Sequence, residues 1–185
     1  MFHMAQKDYK LEVVNSLIGK SWHVRSLAKE LKINHMTILR KLNELLKENV
    51  LDYREEGKNK IYFLKTTSEA KAYIFMGENY KLNQFLKKFP KLRGIIEKIQ
   101  GDKRFQLAMV FGSYAKDLVK KESDIDIYIE TTNNDIKKEL EVIDSRLSIK
   151  IGKYNNKSML SKEIKKDHVI IKGVEKFYEN YKFFE

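Results

Sequence analysis

The residues of this chain best suited to chemistry are two aspartates, Asp124 and Asp126, and a Gly112-Ser113 step separated from them by ten intervening residues. Side chains at i and i+2 of a strand project from one face, so the two carboxylates lie side by side and can share a hard, oxygen-preferring cation. A glycine that closes a strand just ahead of a helix lets a phosphate come close to the backbone. The hydroxyl and N–H groups of the following turn can then hold a triphosphate.

The elements that must position these residues can be read from the local pattern. Leu107 to Phe111 is an apolar run that predicts one strand. Ile125, Ile127 and Ile129 alternate with Asp124, Asp126, Tyr128 and Glu130, which predicts a second. Between them Gly112 to Lys121 is expected to be a helix whose amino end faces the phosphates. Asn134 is expected to cap a helix running from Asp135 to about Ser145. Leu147 to Gly152 alternates as a third strand, Ser158 to Ile164 predicts a short helix, Val169 to Lys172 a short strand, and Val174 to Tyr181 a closing helix. The aromatic tail, Phe177, Tyr178, Tyr181, Phe183 and Phe184, reads as core packing.

Gly112-Ser113, ten residues, then Asp124-Ile125-Asp126 resembles the signature of minimal nucleotidyltransferases in the DNA polymerase β superfamily. The resemblance implies transfer of a nucleoside monophosphate from an NTP with carboxylate-bound Mg²⁺. Asp124 and Asp126 would be the metal ligands and catalytic acids, and Gly112, Ser113 and Lys116 the nucleotide-binding residues. Lys116 stands where such proteins often carry an arginine. They usually place a third carboxylate on the strand that here reads LSIKIG, and the candidate positions hold Ser148 and Lys150. Asp144 lies upstream of that strand, out of the expected position. The ending through Asp167 to Glu179 resembles a prokaryotic subgroup that joins a winged helix to such a domain and often lacks the third acid. The expectation is Mg·NTP binding, with transfer that is slow or dependent on a group supplied by the acceptor or a partner.

The amino-terminal third has a different pattern. After Met1 to Gln6, expected to be a loose end, Asp8 to Leu17 fits a short amphipathic helix stopped by Gly19, and Trp22 to Val24 a brief extended link. Arg25 to Leu31 reads as a second helix, and Asn34 caps a third that carries Ile38, Leu42, Leu45 and Leu46 at helical spacing. Val50 to Arg54 and Lys60 to Lys65 are strand-like, with Glu55 to Asn59 as the hairpin tip. This order resembles the winged helix-turn-helix domain of bacterial and archaeal transcription factors, including arsenic-repressor-like ones. The resemblance implies binding to double-stranded DNA through the third helix and the wing. His35, Thr37, Arg40 and Lys41 are the candidate contacts from that helix, and Lys58 and Lys60 from the wing.

Composition bounds the rest. The formal charge of +11 favours a polyanionic partner, and the excess sits ahead of the aspartate motif: residues 1–66 carry 13 Lys/Arg against 8 Asp/Glu, residues 104–185 carry 16 against 14. The chain has no cysteine, which excludes disulfides, thiolate metal sites and cysteine nucleophiles. His3, His23, His35 and His168 have no metal-ligand spacing. No apolar run reaches membrane-spanning length and no leader precedes a cleavage site, so no membrane partner and a cytoplasmic location are expected. Pro90, the single proline, marks the expected domain junction.

The fold expected is therefore α/β (α+β): a winged helix-turn-helix over 1–66, a connecting or dimerisation helix over 67–90 that could form a homodimer through 68–88, and a nucleotidyltransferase-like mixed sheet flanked by helices over 91–185. Three functions fit it. One is a nucleotidyltransferase with a DNA-binding module and an unassigned protein or nucleic-acid acceptor. Another is a transcription regulator with a catalytically degenerate domain. The third is an antitoxin that nucleotidylates a partner toxin.

Overall fold

A computed structural model describes residues 7–155 and 157–184. The expected loose end, Met1 to Gln6, lies outside the described residues, as does His3. The chain divides into two compact units between Tyr80 and Lys81.

In the first unit, α1 (Tyr9–Leu17) starts where the Asp8 carboxylate accepts from the N–H groups of Lys10 and Leu11. A two-residue strand, β1 (Trp22–His23), leads into α2 (Val24–Leu31), and Asn34 caps α3 (His35–Lys47) by accepting from the Met36 N–H. These caps satisfy amide donors that a helix start leaves without partners. Strands β2 (Leu51–Glu56) and β3 (Asn59–Leu64) pair antiparallel, and β1 joins the outer edge of β3. The hairpin is longer and its tip tighter than the sequence pattern suggests. Glu56 pairs with Asn59, leaving Gly57-Lys58 as a two-residue turn with Gly57 at φ 61°, a conformation glycine takes without a side-chain clash. Val13, Val14 and Leu17 of α1, Leu27 of α2, and Ile38, Leu42 and Leu45 of α3 are buried to 1% exposure or less. They form the small core that holds α3 and the wing.

Helix α4 (Ser68–Lys88) is continuous, and the two units divide within it rather than at Pro90. The reason is packing: Ala70 and Ile74 are buried with the first unit, while Leu82 and Phe85 belong to the core of the second. A proline can mark the end of a helix without marking the end of a domain. Among its large apolar side chains Met76 is exposed, and it lies within the segment considered for a homodimer.

The second unit continues with a 3-10 turn at Pro90–Leu92 and α5 (Arg93–Gly101), then β4 (Ala108–Val110), α6 (Gly112–Ala115), β5 (Ile125–Glu130), α7 (Asn134–Glu141), β6 (Leu147–Gly152), α8 (Met159–Lys166), β7 (Val169–Lys172) and α9 (Val174–Tyr181). The sheet has the order β6-β5-β4-β7, with β5 and β6 parallel and the other pairs antiparallel. One face packs Ala108, Val110, Ile125, Ile127, Ile129, Leu147 and Ile149 against Ile95, Ile96 and Ile99 of α5 and Ile136 and Leu140 of α7. The opposite face is also covered in part. Tyr128 is 3% exposed, its hydroxyl donates to the Gly152 carbonyl at 2.8 Å, and its ring meets Tyr154, which in turn meets Phe177 of α9. The strand alternation therefore separates a packed face from one that is packed at Tyr128 and partly exposed at Asp126.

Several boundaries differ from the sequence pattern; α7, for one, ends at Glu141 and not near Ser145. Asn133, not Asn134, caps α7. The helix expected over Gly112 to Lys121 is the single turn α6, which ends as Asp117 enters the left-handed region at φ 61°. Among the described residues no helix is long and apolar enough to cross a membrane.

Candidate functional site

Both halves of the aspartate motif meet at Gly112. The Phe111 N–H donates to the Asp126 carbonyl at 3.0 Å, which ties the end of β4 to the start of β5. Gly112 then turns away at φ 68°, and a Cβ on it would run into the Asp126 carboxylate, with the carboxyl carbon 3.2 Å away. Only glycine satisfies both demands, the positive φ and the contact. Ser113 and the N–H groups of the α6 turn follow directly. Because α6 is one turn long, what it presents is a few N–H groups and a hydroxyl instead of the summed dipole of a longer helix.

Asp126 is half-buried on β5, and Asp124 is exposed just before the strand. Burial pushes the Asp126 carboxyl up from its ordinary value, and the Asp124 charge adds to that; a hydrogen bond from Ser148 and the charge of Lys150 act the other way. Ser148 is the direct neighbour of Asp126 in the parallel β5–β6 pairing. Two adjacent carboxylates, one of them desolvated and crowded by the other, fit a hard divalent cation, which would relieve the strain between them. Among the described residues no three His, Cys, Asp or Glu side chains are grouped to hold a metal ion, so the set that fits is a pair.

Lys116 is held across the site. Its Nζ donates to Glu163 Oε1 of α8 at 2.7 Å, and this ion pair, joined by the charges of Asp167 and Asp126, keeps the ammonium above its ordinary pKa. Glu163 is the side chain that sequence reasoning missed. It lies 47 residues from Lys116 in the chain, and no local pattern points to it. Asp144 is bound instead by Arg146, whose guanidinium donates to it at 2.6 Å.

The candidate nucleic-acid contacts lie in the first unit. His35 and Arg40 are exposed on α3, and Thr37 is half-buried beside Ile38. Arg40, 69% exposed, approaches Glu44 at 4.0 Å. Lys41 sits on another side of the helix, 21% exposed, and donates to Glu44 at 2.8 Å. Met36, Asn43 and Lys47 share with Arg40 and Glu44 a shallow cleft along the outward stripe of α3. The helical period counted outward from Arg40 would have found them. On the wing, Lys58 and Lys60 are exposed; the Lys60 ammonium lies 3.9 Å from the Tyr53 ring centre. Behind α3, Glu48 accepts from the Lys10 ammonium at 2.6 Å and from the Tyr73 hydroxyl.

The fold and site define a protein with a winged-helix unit and a nucleotidyltransferase-type unit. Residues 93–176, just under half of the chain, match the model of the family described as Polymerase beta, Nucleotidyltransferase, so the second unit is a domain of that type. No curated protein matches the chain. Among solved structures, reduced HlyU from Vibrio cholerae N16961 is 20% identical, with 40% of this chain and 77% of that chain covered at a TM-score of 0.36. The transcriptional regulator HlyU from Vibrio vulnificus CMCP6 is 25% identical, with 40% and 74% covered at 0.34. The adhesin competence repressor AdcR from Streptococcus pyogenes is 19% identical, with 52% and 78% covered at 0.37. At such scores these likenesses carry no weight for function; the winged helix stands on its own helices and hairpin.

Proposed function

We propose that this protein binds a Mg²⁺-nucleoside triphosphate between Gly112-Ser113 and Asp124/Asp126, transfers the nucleoside monophosphate to a protein or nucleic-acid acceptor, and uses its winged helix to hold double-stranded DNA. The observation that supports this reading is the close approach of Gly112 to the Asp126 carboxylate, which brings two separated stretches of sequence together.

In the transfer an acceptor oxygen bonds to the α-phosphorus while that phosphorus loses its bond to the oxygen bridging to the β-phosphate. Pyrophosphate leaves with the bonding electrons, and the acceptor's proton passes to water or to a base on the acceptor. Asp124 and Asp126 would hold the magnesium, which when bound supplies positive charge to the phosphate oxygens. Ser113 and the α6 N–H groups donate to the triphosphate and orient it. Lys116 adds charge once its hold on Glu163 is exchanged for a phosphate. In the winged helix, Arg40 would make a bidentate contact with a guanine edge. Lys58 and Lys60 meet phosphates, Lys41 reaches them only by leaving Glu44, and His35 and Thr37 border the first turn of the reading helix.

A regulator whose second unit senses NTPs without transferring them is the alternative that one observation favours, because β6 brings Ser148 and Lys150, not a carboxylate, to the site. A fluorescent-NTP titration with and without Mg²⁺ tests the shared step. Wild type should bind with Mg²⁺ dependence and the Asp124→Ala/Asp126→Ala variant should lose it; equal affinity for the two removes both readings. Radiolabelled NTP added to cell extract then separates them: label on a protein or nucleic acid that disappears with Asp126→Asn supports transfer. A toxin as the labelled protein would identify an antitoxin.

A further inference from the structure

Displacement at a phosphorus gathers negative charge on phosphate oxygens, and two-metal enzymes neutralise it with ions held about 3.5–4 Å apart by shared acids. A second ion needs a third carboxylate, and the strand next to Asp126 does not carry one. β6 runs parallel to β5 with Ser148 opposite Asp126 and Lys150 opposite Tyr128. Leu147 and Ile149 are buried in the core on the other face, so Ser148 and Lys150 project to the Asp126 side. Ser148 is the register neighbour of Asp126 on this face, and it and the Lys150 charge both favour the ionised carboxylate. Lys150 is exposed and makes no ion pair among the described residues. Of the acids on neighbouring elements, Glu163, whose charge also acts on Asp126, holds Lys116 at 2.7 Å, Asp144 holds Arg146, and Asp167 acts on Lys116 through its charge.

We propose that the Lys150 ammonium, on the face of β6 that it shares with Asp126, stands in for a second divalent cation, so that this site takes one metal ion per bound nucleoside triphosphate. The inference rests on the nucleotide-binding reading above. A divalent ion placed next to Lys150 would meet a fixed positive charge and no carboxylate on β6. A phosphate oxygen there meets an ammonium with three donors on a flexible stem.

The test counts Mn²⁺ by electron paramagnetic resonance in complexes of the full chain with non-hydrolysable ATP, GTP, CTP and UTP analogues in turn. Wild type is expected to hold one Mn²⁺ per nucleotide complex, and Lys150→Glu two. Lys150→Met is expected to lose roughly tenfold in triphosphate affinity, the scale of one charge-assisted hydrogen bond, while Lys150→Arg retains it. Two Mn²⁺ in the wild-type complex, or unchanged affinity in Lys150→Met, overturns the inference and leaves nucleotide binding intact. Absence of any nucleotide complex in wild type overturns both.

Discussion

The two units put their candidate functional groups on opposite kinds of ground. On α3 and the wing, Arg40, Lys58 and Lys60 stand in solvent over a small core, and each contributes its charge almost independently of the others. Around Gly112 nothing is independent: the backbone turn closes on the Asp126 carboxylate, and Ser148 is its neighbour on the next strand. Summed exposed charges suit recognition of a uniform polyanion, where contacts add. Phosphoryl chemistry needs position, and position comes from contact. Substitutions should therefore act by degrees in the first unit and nearly all at once in the second.

The sharpest way to break that contrast is Gly112→Ala. The added methyl group meets the Asp126 carboxylate at a positive φ, so triphosphate affinity should fall by roughly a hundredfold and stability by about 1–3 kcal/mol. Nucleotide titration and denaturant unfolding measure the two. A variant that keeps its affinity would show the pocket to be far more pliable than the contact implies.

Next in size is Arg40→Ala, which should weaken duplex binding by about 1–3 kcal/mol at sites with guanine opposite it, with melting temperature unchanged. Lys58→Ala should lower affinity evenly across sequences and reduce the salt slope by about one. Both are read from binding isotherms at several salt concentrations. Loss of all binding from Arg40→Ala alone would mean that the first unit, too, works as a locked geometry.

The smallest effect is a pH dependence. Asp126 has its carboxyl pKa raised in the folded chain, so its ionised form costs stability above that value and the cost fades as pH falls into the ordinary carboxylate range. Asp126→Asn should raise the melting temperature at pH 7 by roughly 1–3 °C, and the gain should disappear near pH 4. Partial exposure screens the effect, and Mg²⁺ with nucleotide should stabilise wild type but not the variant. Melting curves across pH, with and without both ligands, provide the check.

Local pattern carried much of this molecule. The LSIKIG and VIIK strands and the helix from Val174 to Tyr181 match their sequence runs residue for residue, because alternation and helical spacing are recorded within a few neighbouring positions. The Gly-Ser and Asp-Ile-Asp stretches were legible for the same reason, since each is a short motif. The domain junction was not legible: Pro90 is a strong local signal, yet the division within α4 depends on which core receives Ile74 and which receives Phe85. Nor was the length of α6, which ends at Ala115 although no proline or glycine follows it there.

By itself, then, the order of residues determined the elements, the acids available and the charge of each stretch, all of them properties of near neighbours along the chain. Tertiary structure alone decided that Asp126 closes on Gly112, that Ser148 stands opposite it, that Lys150 shares its face and that Glu163 occupies Lys116. Those are contacts between segments tens of residues apart, created by strand register and by packing on both sides of the sheet. Each depends on the whole unit closing around its core, which no local repeat encodes.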